Sequence, residues 1–129
     1  MACGRTSGKA FCGALFVRPR GIKERLGDML AAIANIQAFV QGLDQESFAK
    51  DAKTLRAVTY EFVVMGEAVA RLPEEFLEAY PHLPWRAIKA LRNYAVHEYF
   101  CLSPQVLWQI VSKELEPLKR ELERILKDL

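Results

Sequence analysis

The segment Leu91-Arg92-Asn93-Tyr94-Ala95-Val96-His97-Glu98-Tyr99-Phe100 places an arginine, an asparagine, a histidine, a glutamate and two tyrosines within eight positions. Such a set suits phosphate chemistry. A guanidinium is a planar fork matched to phosphate oxygens, and an imidazole titrates near neutral pH and can take or give a proton. A phenol can stack on a base or hydrogen-bond to phosphate. Read as one α-helix, the segment sorts these groups by azimuth. Asn93 and His97 lie about 40° apart on one face, and Arg92 and Tyr99 are almost eclipsed, about 10 Å apart along the axis. Arg92 and His97 diverge by roughly 140°, so a straight helix cannot aim both at one phosphate. Either the helix ends or unwinds near His97, or a second copy completes the site across a two-fold axis. The same residues also have a purely structural explanation, since Arg and His near a helix C-terminus offset its dipole and cap its carbonyls. The residues alone leave both open.

The elements that must hold this segment are helical. Ile22, Leu26, Met29, Leu30, Ile33, Ile36, Phe39 and Val40 recur at helical spacing, and Gly42 stops the run. Asp44 can cap a short helical turn through Phe48. Leu55, Val58, Phe62, Met65, Val69 and Leu72 form the stripe of a second long helix ended by Pro73, which also suits the first turn of a short helix reaching Tyr80. Pro81 and Pro84 bracket a turn. Pro84 opens the helix with Trp85, Ile88, Leu91 and Ala95, whose pattern weakens between His97 and Phe100. Ser103 and Pro104 start the last helix, with Leu107, Ile110, Val111, Leu115, Leu118, Leu122 and Ile125 inward. Pro117 lies inside it, and its ring crowds the carbonyl of Lys113, which predicts a kink. No strand-like alternation of useful length occurs. The fold class is therefore all-α, an antiparallel bundle of about four major helices with one or two short ones.

This packing makes Glu67 the candidate partner of Arg92, because the second long helix should lie beside the one carrying Arg92. The bland alternative is a partly buried acid paired with any nearby cation. Glu98 faces away from Asn93 and reads as solvated. Tyr60 and Tyr94 read as core or interface, His82 as exposed in its proline-bounded turn, and Trp85 and Trp108 as packing anchors.

Composition narrows the partners. The chain of 129 residues is 51% hydrophobic and 26% charged, the balance of one globular domain. Its net charge is +2, but Arg5, Lys9, Arg18 and Arg20 contribute four cations with no acid among residues 1–20. The remainder carries 14 basic against 16 acidic residues, a balance of −2. Such a domain lacks the broad basic footprint of a non-specific nucleic-acid binder, so any RNA contact is local or assembled from two subunits. Cys3, Cys12 and Cys101 are scattered and only two histidines accompany them, which disfavours a zinc site. No apolar run is long enough for a membrane span, and Cys12 to Val17 is short for a signal-peptide core, so a cytoplasmic location is expected. Residues 1–19, interrupted by Gly4, Gly8 and Gly13 and closed by Pro19, read as a disordered tail preceding a domain over 20–129.

From Pro84 to Phe100 the chain resembles the HepT-like branch of the HEPN domains, whose signature is Arg, four residues, His, any residue, Tyr. Here these are Arg92, His97 and Tyr99, with Asn93 supplying the asparagine that often follows the arginine. Asp28-Met29-Leu30 with Ala32-Ile33 is similar to the family's first helix. Arg56-Ala57-Val58, Met65-Gly66-Glu67-Ala68 and Arg71-Leu72-Pro73 are similar to its second, Pro84-Trp85-Arg86 to the lead-in of the motif helix, and Leu107-Trp108 with Leu115 to Leu118 to its last. The likeness covers roughly residues 20–127 in order. Gly21, Glu61 and Ala90 depart from the residues common at their positions (Asp, Asn and Gly).

The resemblance implies a metal-independent endoribonuclease acting as a toxin. It implies a minimal nucleotidyltransferase (MNT) antitoxin as partner, which silences the toxin by adding AMP to the motif tyrosine, here Tyr99. No cofactor is implied. RNA supplies its own 2′-hydroxyl nucleophile, so a base and a charge stabiliser suffice. His97 would move protons, Arg92 would clamp the non-bridging oxygens, Asn93 would orient His97 or bind phosphate, and Tyr99 would stack a base or bind phosphate. A homodimer would bring both sets into one cleft. A non-catalytic nucleotide-binding or scaffold subunit of a nucleotidyltransferase complex is the alternative, because phosphate clamping serves both.

Overall fold

Helix boundaries follow from capping residues that the chain places at each turn. The computed structural model describes residues 21–98 and 102–129; the expected N-terminal tail, residues 1–19, and Tyr99 lie outside the described residues. Helix α1 spans Ile22–Phe39, α2 Gln45–Lys50, α3 Ala52–Ala70, α4 Glu74–Ala79, α5 Trp85–His97 and α6 Pro104–Gln109. A π-helical turn at Ile110–Glu114 joins α6 to α7, Leu115–Asp128. Among the described residues there is no strand.

At the start of α1, Gly21 donates its N–H to Glu24 Oε1 (3.0 Å). The helix gives way at Val40, and Gly42 turns the chain at φ +82°, a conformation that costs glycine little. Asp44 and Ser47 then cap α2 reciprocally: Ser47 N–H donates to Asp44 Oδ1 (2.9 Å) and Asp44 N–H to Ser47 Oγ (3.0 Å). Asp51 caps α3 in the same manner, accepting from Thr54 N–H (3.0 Å) and Thr54 Oγ1 (2.7 Å). Pro73 serves as the N-cap of α4 rather than lying in its first turn. Ser103 caps α6 ahead of Pro104.

The predicted disturbance at Pro117 takes the form of the π turn. Pro117 has no N–H to offer the Lys113 carbonyl, and the helix absorbs the misfit one turn earlier, where Leu115 N–H reaches back to the Ile110 carbonyl. The α-helical register then resumes, with Leu115, Leu118, Leu122 and Ile125 buried.

The four major helices form the antiparallel bundle. α3 is central, packed against α1 on one flank and α5 on the other, while α7 crosses α1. Leu26, Met29, Ile33, Ile36, Met65, Leu115 and Leu122 are fully buried between them, and each contributes about 1.5–3 kcal/mol through burial. Phe48 is sealed beneath Trp108 (ring centroids 5.1 Å apart), and Trp85 donates its indole N–H to the Tyr80 carbonyl (2.9 Å), so both tryptophans anchor packing. One aromatic expectation changes, and for two others, read as core or interface, only interface stays open. Phe39, in phase with the buried stripe of α1, is 41% exposed, because the chain leaves the bundle at Val40. Tyr60 and Tyr94 are 64% and 56% exposed and belong to no core.

Candidate active site

Arg92 emerges where α3 and α5 come closest. Gly66 is buried at this crossing, and a Cβ on it would collide with Arg92 Cβ and lie 2.9 Å from Arg92 Cγ and 3.2 Å from the Ile88 carbonyl. A hydrogen at this one position of α3 lets the aliphatic stem of Arg92 lie flat across the partner helix. The guanidinium is thereby delivered to the next residue along: Arg92 Nη1 donates to Glu67 Oε2 at 2.5 Å. On its other edge, Arg92 Nε and Nη2 donate to Asn93 Oδ1 at 3.1 and 2.8 Å.

A guanidinium has five N–H donors. Three are engaged by described residues, which among those residues leaves one on each terminal nitrogen. The group is only 21% exposed at the side chain, whereas Glu67 is 46% exposed. An ion pair with so open a partner adds no more than about 1 kcal/mol to stability. Orientation is the larger consequence: a pinned, preorganised cation keeps two donors for a ligand and gives up little freedom on binding it.

The structure therefore brings together Arg92, Asn93 and Glu67 from the expected set. The partnership between Glu67 and Arg92 matches the sequence expectation. Asn93 differs: its side-chain oxygen turns to Arg92 rather than to His97. His97 is the last residue of α5 and is exposed, with no hydrogen bond to Arg92, Asn93 or Glu67. α5 ends at His97, so the first of the two ways to reconcile Arg92 with His97, a helix end near His97, is present. Beyond His97 the chain leaves helical geometry at Glu98 (φ −135°, ψ 44°), and the expected stacking of Tyr99 over Arg92 lies outside the described residues.

Two contributors escaped sequence reading. Gly66 is one, and its signal was a glycine among good helix formers on a buried face, a mark of close backbone approach. Arg71 is the other: its Nη2 lies 3.7 Å from Glu67 Oε1, so one carboxylate serves two guanidinium groups. Of the positions departing from the family pattern, Glu61 accepts a long hydrogen bond from Asn35 (3.4 Å), and Ala90 is exposed on α5.

A separate cavity of about 330 Å³ opens between α5 and the C-terminal helix, lined by Phe62, Met65, Ile88, Leu91, Leu115 and Leu118 among others. His82 stands at its edge, exposed and paired with Glu121 (3.1 Å). Neither Arg92 nor His97 reaches this cavity. Among the described residues, no three His, Cys, Asp or Glu side chains gather as a metal site, and no helix is long and apolar enough to cross a membrane.

Comparison with known proteins identifies the family. Residues 29–125 match the family described as Ribonuclease HepT-like. A Methanocaldococcus jannaschii protein named "Putative RNase MJ0127" is 34% identical over 110 residues, 85% of this chain and 91% of that protein. A Thermococcus cleftensis protein named "Probable ribonuclease HepT" is 33% identical over 108 residues, 84% of this chain and 98% of that protein. No solved structure matches the chain at a significant level.

Proposed function

The chain belongs to the HepT-like ribonuclease family, and from that membership we propose that it is a metal-independent endoribonuclease, the toxin of a HEPN/MNT-type toxin–antitoxin pair, with its Arg-x4-His site in a homodimer cleft. The observation that carries this reading is the pinned guanidinium of Arg92, held by Glu67 and Asn93 with one N–H on each terminal nitrogen left by the described residues. Donors left on a guanidinium whose plane is fixed suit the non-bridging oxygens of a phosphodiester.

In the reaction, the 2′-oxygen of the substrate forms a bond to phosphorus as the bond to the 5′-oxygen breaks. The products are a 2′,3′-cyclic phosphate and a 5′-hydroxyl. The imidazole of His97 removes the 2′-proton, and a second imidazole, the symmetry mate's, protonates the leaving oxygen. Arg92 stabilises the charge that builds on the equatorial oxygens. The exposed Tyr60, Tyr94 and Val96 near this surface favour association of two copies, which also supplies the cations that a domain of net −2 lacks.

The antitoxin of this reading is a minimal nucleotidyltransferase that transfers AMP to Tyr99. A bulky anion two residues beyond His97 would compete with RNA for Arg92. Purified protein incubated with RNA in excess chelator should release fragments ending in cyclic phosphate. Co-expression with a cognate minimal nucleotidyltransferase should add AMP mass to Tyr99 and stop cleavage. A protein that binds AMP or ATP through Arg92 yet never cuts RNA would instead be a nucleotide-binding subunit, and the ribonuclease reading would fall.

A further inference from the structure

Arg71 ends α3 as its C-cap residue, and its side chain is 62% exposed. Its only ion pair among the described residues is the one to Glu67, whose second oxygen already belongs to Arg92. Glu74 and Glu75, at the start of α4, make no ion pair with it. One carboxylate between two guanidinium groups leaves a net positive charge, and the two cations are unlike. Arg92 is pinned by three short hydrogen bonds and partly covered, whereas Arg71 is held at 3.7 Å on the open side of the same acid.

The arrangement also has a direction. α3 and α5 run antiparallel, and they touch at Gly66 and Arg92. The turn of α3 beyond Glu67 therefore lies on the side of Arg92 away from His97, which sits five residues further along α5. His97, Arg92 and Arg71 thus follow one another across the surface, with Glu67 as the hinge between the two arginines.

We propose that Arg71 is a second phosphate-binding residue of the RNA site, taking the phosphate next to the one clamped by Arg92, on the side away from His97. The proposal rests on the ribonuclease reading and extends it from one phosphate to two. An exposed, loosely paired arginine exchanges its carboxylate for a strand phosphate at little cost, and Glu67 keeps Arg92 aligned when Arg71 swings away. Arg71 binds and positions the strand; it moves no proton.

The test is binding of a fluorescent single-stranded 2′-O-methyl RNA, which cannot be cut, to the full chain across a series of KCl concentrations. Arg71→Ala should weaken binding roughly tenfold and reduce the slope of log K against log salt by about 0.7, the value for one lost contact on a single strand. Arg71→Lys should retain most of the slope, since a point charge suffices for a phosphate contact. With cleavable RNA, the rise in KM should exceed any fall in kcat. Wild-type affinity and slope in Arg71→Ala overturn the proposal, as does a loss traced to a lowered unfolding temperature that Arg71→Lys shares. Arg92→Ala separates the two readings. If it abolishes cleavage while Arg71→Ala changes nothing, only the second phosphate contact is refuted. If Arg92→Ala binds and cuts like the wild type, or the wild type binds no RNA, the ribonuclease reading fails with it.

Discussion

Arg92 lies across Gly66 with no room for a Cβ between the two helices. This crossing sets both the spacing of α3 from α5 and the direction of the guanidinium. Gly66→Ala should push the helices apart and cost about 1–3 kcal/mol as an overpacked site, against roughly 1 kcal/mol that alanine gains over glycine inside a helix. Urea unfolding reads the net loss, and RNA cleavage should fall further than stability alone explains. Wild-type stability and activity in this variant would show that the crossing relaxes freely.

Arg92→Ala should reduce cleavage by about 10²–10³-fold, the typical cost of removing one stabiliser of transition-state charge. His97→Ala should cost about 10²–10⁴-fold as loss of a proton-transfer group. Both should leave the circular dichroism spectrum and unfolding midpoint close to wild type, because His97 is exposed and the ion pair of Arg92 is weak in stability terms. Arg92→Lys should behave like Arg92→Ala, since an ammonium cannot hold Asn93 and Glu67 and still present donors on a fixed plane.

If the site is shared across a dimer, inactive Arg92→Ala and His97→Ala chains should complement each other. Co-refolding the two variants gives mixed dimers that carry one intact arginine and one intact histidine in the same cleft. Partial recovery of cleavage in the mixture supports the shared site. No recovery, with mixed dimers demonstrated by mass, means either that the cleft needs both imidazoles or that each working pair lies within a single chain.

Glu67→Gln keeps a hydrogen-bond acceptor for Arg92 but removes the charge between the two arginines. Cleavage should drop by less than in Arg92→Ala, while RNA affinity rises because a local negative charge has gone. A fall in affinity would mean that Glu67 serves some purpose other than holding Arg92.

Asp44 and Asp51 accept hydrogen bonds from the Ser47 and Thr54 backbone N–H groups, which hold both carboxyls below their ordinary pKa of 3.8. A group whose pKa is lowered by folding stabilises the fold above its unfolded pKa and loses that contribution as pH falls through the folded value. Stability should therefore decline as pH drops below about 3.8. The double variant Asp44→Asn/Asp51→Asn caps without titrating, so its unfolding midpoint should vary less over that range. An equally steep acid dependence would assign the effect to other carboxylates.

Burial writes itself into a chain as periodicity, and this explains how far the residues could be read in advance. The stripes of α1, α3, α5 and α7, the caps at Asp44 and Ser103 and the disturbance before Pro117 are local rules of spacing and hydrogen bonding, and all are visible as such. The same reading misplaced Phe39, because a hydrophobic residue in phase with a stripe is buried only if another helix reaches it. At the site, the residue types and the angular conflict between Arg92 and His97 were legible from helical geometry alone. The choice of Asn93 for Arg92 and the sharing of Glu67 with Arg71 were not, and the close approach over Gly66 was signalled only by a glycine among helix formers, without its partner. The Arg92 contacts with Gly66 and Glu67 join residues about 25 positions apart on different helices, and their geometry depends on the crossing of α3 and α5. Only the packed core sets that crossing, and no local pattern encodes it.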